Sequence, residues 1–248
     1  MVEQTIQTLR ELRLGAMAGE YVRQTELPQT LDLGFDERLA LMCQAESERR
    51  ADNRLKRLLN AATLSDAGAS LDEIIYSGAR GINKDLVLRL SNLKWVETPT
   101  NIIITGACGT GKSWLASAWA KHACLHGHST RMLRLSRLLA ELHLSRNDPH
   151  YLKLHDRLAK ADLLILDDFG LERFDERACR DLLEIVEARY KRRATVFTAQ
   201  LPVKKWHDLF SDKTIADAFL DRVVHNSYRF ELKGPSMREV TGSTKKEI

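Results

Sequence analysis

The chain has 248 residues, 44% of them hydrophobic and 29% charged. That composition excludes a wholly disordered chain and a collagen-like one, and the length suits one ordinary domain plus a smaller one. A net charge of +4, from 38 basic and 34 acidic residues, permits a nucleic-acid partner without pointing to one.

The N-terminal third reads as helix. Val2, Ile6, Leu9, Leu12 and Ala16 follow a helical stripe, which the stretch from Leu27 to Thr30 breaks. A second helix is predicted from Phe35 to Ala62, with Leu41, Leu55, Leu58, Leu59 and Ala62 on its apolar face. The small, polar residues 63–69 read as a linker, and Ser70 to Glu73 has capping-box spacing that opens a new element. The expected division is a helical domain over 1–67 and a second domain over 68–248. From about residue 100, apolar strands alternate with amphipathic helices. Strands are predicted at 101–105, 130–135, 162–168, 195–199 and 228–232, with helices at 112–125, 137–144 and 176–190. Such alternation implies a parallel sheet covered on both faces, with its ligand at the carboxyl ends of the strands.

No apolar run approaches the ~20 residues of a membrane span. Glu3, Arg10, Glu11 and Arg13 interrupt the N-terminus where a signal peptide needs an unbroken apolar segment, so a cytoplasmic protein is expected. Cys43, Cys108, Cys124 and Cys179 are dispersed, which argues against a disulfide scaffold and a zinc ribbon. His122 and His126 lie four apart, but Ala123 stands where a metalloprotease motif needs glutamate.

Two motifs carry chemistry. Gly106, Ala107, Cys108, Gly109, Thr110, Gly111, Lys112 and Ser113 spell GxxxxGK[ST] between a predicted strand and a predicted helix. Glycines allow positive φ, so successive N–H groups form an anion nest to which the helix N-terminus adds positive charge. Lys112 can reach the β- and γ-phosphates of ATP, and the Ser113 hydroxyl can ligate Mg²⁺. The second motif is the apolar run from Leu163 to Leu166, ending in Asp167 and Asp168. Alone, such an ending is more often a turn or a helix cap. With the phosphate loop upstream, Asp167 is expected to hold magnesium and Asp168 to act as general base. The adenine pocket is expected to involve residues before Asn101.

The segments GACGTGKS (106–113), LLILDDFG (163–170), DERACRDLLEIVEARYKRR (175–193), TAQLPVKKWHDLF (198–210) and TIADAFLDRVVHNSYRFELKG (214–234), with PSMR (235–238), resemble the IstB-type transposition helper ATPases of bacterial insertion sequences. These are AAA+ proteins close to the helicase loader DnaC. Residues 9–22 and 35–59 are similar to the helical domain of that family, so the resemblance spans nearly the whole chain. It implies an α/β fold: a P-loop AAA+ core with a parallel sheet between helices, and an N-terminal all-helical domain. A full C-terminal lid is not expected, because the sixteen residues from Lys233 to Ile248 cannot form a bundle with its own core.

The resemblance further implies a polar sensor after the strand at 195–199. Gln200 matches it, with Thr198 as the weaker candidate. It implies an arginine finger at Arg222, acting on a neighbouring subunit's γ-phosphate; spacing alone would read Arg222 as a surface salt bridge to Asp217 or Asp221. Arg238 is a candidate phosphate contact in place of the lid. Candidate DNA contacts are the stripe Arg50, Arg54 and Arg57, the cluster Arg131 and Arg134 with Arg137, and Lys204 with Lys205. A solvated helix face accounts for the stripe about as well. With no sequence-reading motif visible, contact should be to phosphates of double-stranded DNA, largely independent of sequence. The implied function is an ATP-dependent helper that oligomerises on target DNA and recruits the transposase. A DnaC-like helicase loader is the alternative, and a small-molecule P-loop kinase lacks the substrate lid it would need.

Overall fold

The computed structural model describes residues 2–27, 30, 32–146 and 148–237. Two compact units divide the chain, 1–57 and 58–248.

The first unit holds α1 (Val2–Glu11), α2 (Gly15–Glu26) and most of α3 (Phe35–Ala62). Its stabilising features are largely polar. No residue of α1 is buried, so the stripe read in the sequence is not a core face within this unit. Leu14 gives α2 no side-chain cap, which leaves the first N–H groups of that helix without partners. The buried Glu46 of α3 supplies one across the unit: its Oε2 accepts from Ala16 N at 3.0 Å and Met17 N at 3.5 Å. Arg49 and Arg50 close on the same carboxylate at 2.6 and 2.9 Å. Gln24, fully buried, donates from Nε2 to Arg38 O at 3.0 Å.

The second unit is a five-stranded sheet in the order β2-β3-β4-β1-β5, every pairing parallel. The strands are β1 (Asn101–Gly106), β2 (Thr130–Arg134), β3 (Leu163–Phe169), β4 (Ala194–Ala199) and β5 (Ser227–Leu232). Alternate residues of each strand face opposite sides, so both faces need covering. Ile102, Ile104, Leu163 and Ile165 pack on one face beneath α4 (Lys84–Leu90), α5 (Lys94–Glu97) and α6 (Lys112–Leu125). The alanines 116, 120 and 123 let α6 approach this face closely. Ile103, Leu164, Leu166 and Phe197 pack on the other, beneath α7 (Leu135–Ser145), α8 (Pro149–Lys160), α9 (Glu176–Arg189) and α10 (Lys213–Val224).

Three differences from the sequence reading have local causes. Residues 63–69, read as a linker, belong to the second unit. Thr63 Oγ1 donates to Met132 O at 2.8 Å, Ser65 and Ser117 hydroxyls share a 2.9 Å bond, and Lys121 Nζ donates to Ala67 O at 3.0 Å. The capping box at Ser70 opens only a single 3-10 turn, Leu71–Glu73. Helix α8 was not foreseen; Asp148 caps it through His150 N, with Pro149 in its first turn.

A candidate nucleotide-binding site

The phosphate loop leaves β1 and enters α6, as its motif requires. Lys112 Nζ donates to Ala107 O at 2.8 Å, folding the side chain over its own loop. Gly109 has φ +80°, and a Cβ there would lie 2.3 Å from Ser236 Oγ, so glycine is required on both counts. The segment after β5 crosses the loop at that point, and Met237 N donates to Gly109 O at 2.8 Å. The chain that follows the last strand therefore packs on the phosphate loop rather than forming a separate body among the described residues.

Strand β3 carries the acidic pair to the same end of the sheet. In an unbroken strand Asp167 and Asp168 would face opposite sides. The β3–β4 register slips between them: Leu166 pairs with Phe197, but Phe169 pairs with Ala199. Asp168 absorbs the extra residue at φ +60°, a conformation that aspartate tolerates better than most residues. As a result both carboxylates line one cleft.

The two have different surroundings. Asp167, buried, accepts from Ser113 Oγ at 2.7 Å and from Thr198 Oγ1 at 2.5 Å. Asp168 pairs with Arg134 Nε at 3.0 Å, while its backbone N–H donates to Thr198 Oγ1 at 3.0 Å. Thr198 thus touches both acids. Gln200 is exposed and lines the cleft. The donor set of Ser113 and Asp167, two hard oxygens side by side, fits a magnesium ion that keeps most of its water.

The cleft measures about 1070 Å³ and is lined by Lys112, Ser113, Asp167, Asp168 and Gln200 on the phosphate side. Thr63, Ser65, Asp66, Glu73 and Ile75, from the region before Asn101, line it as well, as does Met237. Arg80 also lines it and is buried, and nothing in its sequence neighbourhood marks it.

Arg222 lies elsewhere. Asn101, at the start of β1, donates from Nδ2 to Val223 O at 3.3 Å, which puts the end of α10 at the amino end of the sheet. Strand β1 separates that end from the phosphate loop by about 16 Å, so Arg222 does not reach the loop of its own chain. Its guanidinium pairs with Glu187 at 3.0 Å, not with Asp217 or Asp221, and lies over the Tyr190 ring. Arg238 falls outside the described residues.

Several of the expected DNA contacts have internal partners. Arg131 Nη1 donates to Ala61 O at 2.7 Å, Arg134 holds Asp168, and Arg50 holds Glu46. Arg50, Arg54, Arg57, Arg134, Lys204 and Lys205 are all exposed, and Arg57 Nε donates to Asn53 O at 3.3 Å. His122 Nε2 lies 2.8 Å from Ser91 O, a structural contact.

A parallel sheet with the phosphate loop on β1 and the acidic pair on β3, across the polar end of β4, defines an AAA+-type P-loop ATPase. Solved structures share this fold. The crystal structure of DnaI is similar with a TM-score of 0.56 at 20% identity, covering 72% of this chain and 94% of that one. The DnaC helicase loader is similar with a TM-score of 0.53 at 18% identity, covering 72% and 99%. AMPPCP-bound DnaA from Aquifex aeolicus matches with a TM-score of 0.56 at 18% identity, covering 75% and 56%.

The chain belongs to the family of IstB-like ATP binding proteins, whose model matches residues 7–245. An insertion sequence ATP-binding protein of Sinorhizobium fredii is 39% identical over 234 residues, 94% of this chain and 95% of that protein. The ATP-binding protein of insertion sequence IS1162 from Pseudomonas fluorescens is 39% identical over 202 residues, 82% and 87% of the two chains. Among the described residues no helix is long and apolar enough to cross a membrane.

Proposed function

We propose that this ATPase is a transposition helper: bound to ATP it assembles on target DNA and recruits the transposase, and hydrolysis releases it. The observation that carries the catalytic part is the contact of Ser113, Asp167 and Thr198 beside the phosphate loop. The insertion-sequence relatives favour a transposase partner over a replicative helicase.

In this reading the N–H groups of residues 106–113 hold the β- and γ-phosphates, and Lys112 leaves Ala107 O to bridge them. Ser113 and Asp167 would hold Mg²⁺, which when bound offsets phosphate charge. Asp168, once released by Arg134, accepts a proton from the attacking water. Thr198 fixes the two acids relative to each other, and Gln200 orients the water from the mouth of the cleft. Arg222, remote from its own loop, serves the site of a second copy. The subunits would then be joined through the nucleotide, so ATP and ADP favour different assemblies. Lys204, Lys205, Arg54 and Arg57 are exposed cations suited to DNA phosphates, and the exposed Arg50 and Arg134 could join them by exchanging their carboxylate partners for phosphates, while Arg131 is held by Ala61 O.

Sedimentation of the full chain with duplex DNA tests the proposal. Large complexes are expected with magnesium-ATP and not with ADP, and the transposase of the same insertion sequence should join the ATP form. A chain that stays monomeric on DNA at every nucleotide concentration refutes it.

A further inference from the structure

The phosphate loop is braced by a residue that no motif includes. Arg80 ends a 3-10 turn, Gly78–Arg80, and is 7% exposed. Its Nη2 donates to Thr110 O at 3.1 Å and its Nη1 to Ile75 O at 3.0 Å. Both partners are backbone carbonyls, and among the described residues no carboxylate pairs with this buried cation. Burial pushes its pKa below the ordinary arginine value. Such a desolvated charge is costly unless hydrogen bonds offset it, which ties the guanidinium to these two carbonyls. Its backbone is tied down as well, since Arg80 O accepts from Lys233 N at 3.0 Å.

The geometry of the bond to Thr110 explains the placement. The Thr110 carbonyl and the Gly111 N–H belong to one planar trans peptide, so they point in opposite directions. A guanidinium that holds the carbonyl on its own side turns the Gly111 N–H away from itself. That N–H belongs to the row that forms the anion nest. Gly111 leaves room for the guanidinium: a Cβ there would come within 3.0 Å of Arg80 Nη2.

We infer that Arg80 is a positioning residue for the phosphate loop: its hydrogen bond to the Thr110 carbonyl sets the Gly111 peptide so that its N–H meets the phosphates of a nucleoside di- or triphosphate. The inference rests on the nucleotide reading of this cleft. Arg80 acts through the loop and not on the γ-phosphate, so ATP and ADP should lose affinity together. The residues around the reacting phosphate, Lys112, Asp167 and Asp168, are untouched.

The test measures binding of magnesium-ATP and magnesium-ADP, and steady-state hydrolysis, for the full-length parent, Arg80→Ala and Arg80→Lys. Losing a charged hydrogen bond to the loop should weaken both nucleotides by roughly 10- to 100-fold. Turnover at saturating ATP should stay within about threefold, placing the loss in KM and not in kcat. Millimolar guanidinium should restore part of the affinity of Arg80→Ala, an effect that a merely structural role would not produce. Arg80→Lys keeps the charge and can reach one carbonyl but not both, so an intermediate affinity is expected. It also serves as the test if Arg80→Ala does not fold. Unchanged affinity in a folded Arg80 variant overturns the inference, as does an equal loss in kcat. A parent chain that binds neither nucleotide overturns instead the nucleotide reading itself.

Discussion

Thr198 offers a test of how the two acids are held. Its hydroxyl donates to Asp167 and accepts from the Asp168 N–H, and the residue is fully buried. Thr198→Val keeps the shape and removes both bonds. The bond to a carboxylate contributes about 1.5–3 kcal/mol, and an amide left without a partner costs about 1–3 kcal/mol. The added methyl returns about 0.8 kcal/mol of burial. The net loss should be about 2–5 kcal/mol, a fall in melting temperature of about 4–20 °C for a unit of this size. If Asp168 is the base, as proposed, hydrolysis should drop at least about tenfold, because Asp168 loses its fixed place relative to the attacking water. Nucleotide affinity should change little, since the phosphate loop is intact. Thr198→Ser keeps the hydroxyl and should behave like the parent in hydrolysis. The assay is thermal melting without nucleotide, followed by phosphate release at saturating magnesium-ATP. A valine variant that melts and hydrolyses like the parent refutes the account and leaves Gln200 as the sole sensor candidate.

Two further expectations concern other parts of the chain. Mixing Arg222→Ala with Asp168→Asn subunits should recover some hydrolysis where neither variant alone has any, because intact halves meet across an interface; no recovery in a verified mixed assembly removes Arg222 from a role in trans. In the first unit, the Arg49 guanidinium foremost, with Arg50 and two backbone N–H groups, holds the Glu46 carboxyl down to about 2. A carboxyl depressed in the folded state stabilises above its unfolded pKa, and that contribution is lost as pH falls from about 4.5 toward 2. Helicity followed across that window should therefore fall in the parent, and Glu46→Gln should be less stable at neutral pH with a flatter acid profile. Identical profiles would mean that Glu46 does not cap α2.

Much of the site was legible because the phosphate loop is continuous in sequence. Eight adjacent residues dictate its glycine conformations, its lysine and its helix N-terminus, so strand, loop and helix follow from local rules. The alternation of apolar strands and helices likewise implied a doubly covered parallel sheet, and the second unit has one. The first domain boundary was less legible, since residues 63–69 look like a linker in composition but bond to Met132 and Ser117, far along the chain.

The sequence by itself determined where phosphate could bind and which strand would carry the acids. Only tertiary structure decided what each acid touches. The bulge that turns Asp167 and Asp168 into one cleft depends on the register of β3 against β4. The partners that give them different surroundings, Ser113, Thr198 and Arg134, come from other strands and helices. Arg80 and Glu46 belong to the same class: an unremarked cation that braces the loop, and an acid that caps a helix thirty residues away. Local propensity acts between neighbours in the chain, whereas these contacts exist only after distant segments have packed. A buried charge then takes its meaning from whichever groups the fold places against it.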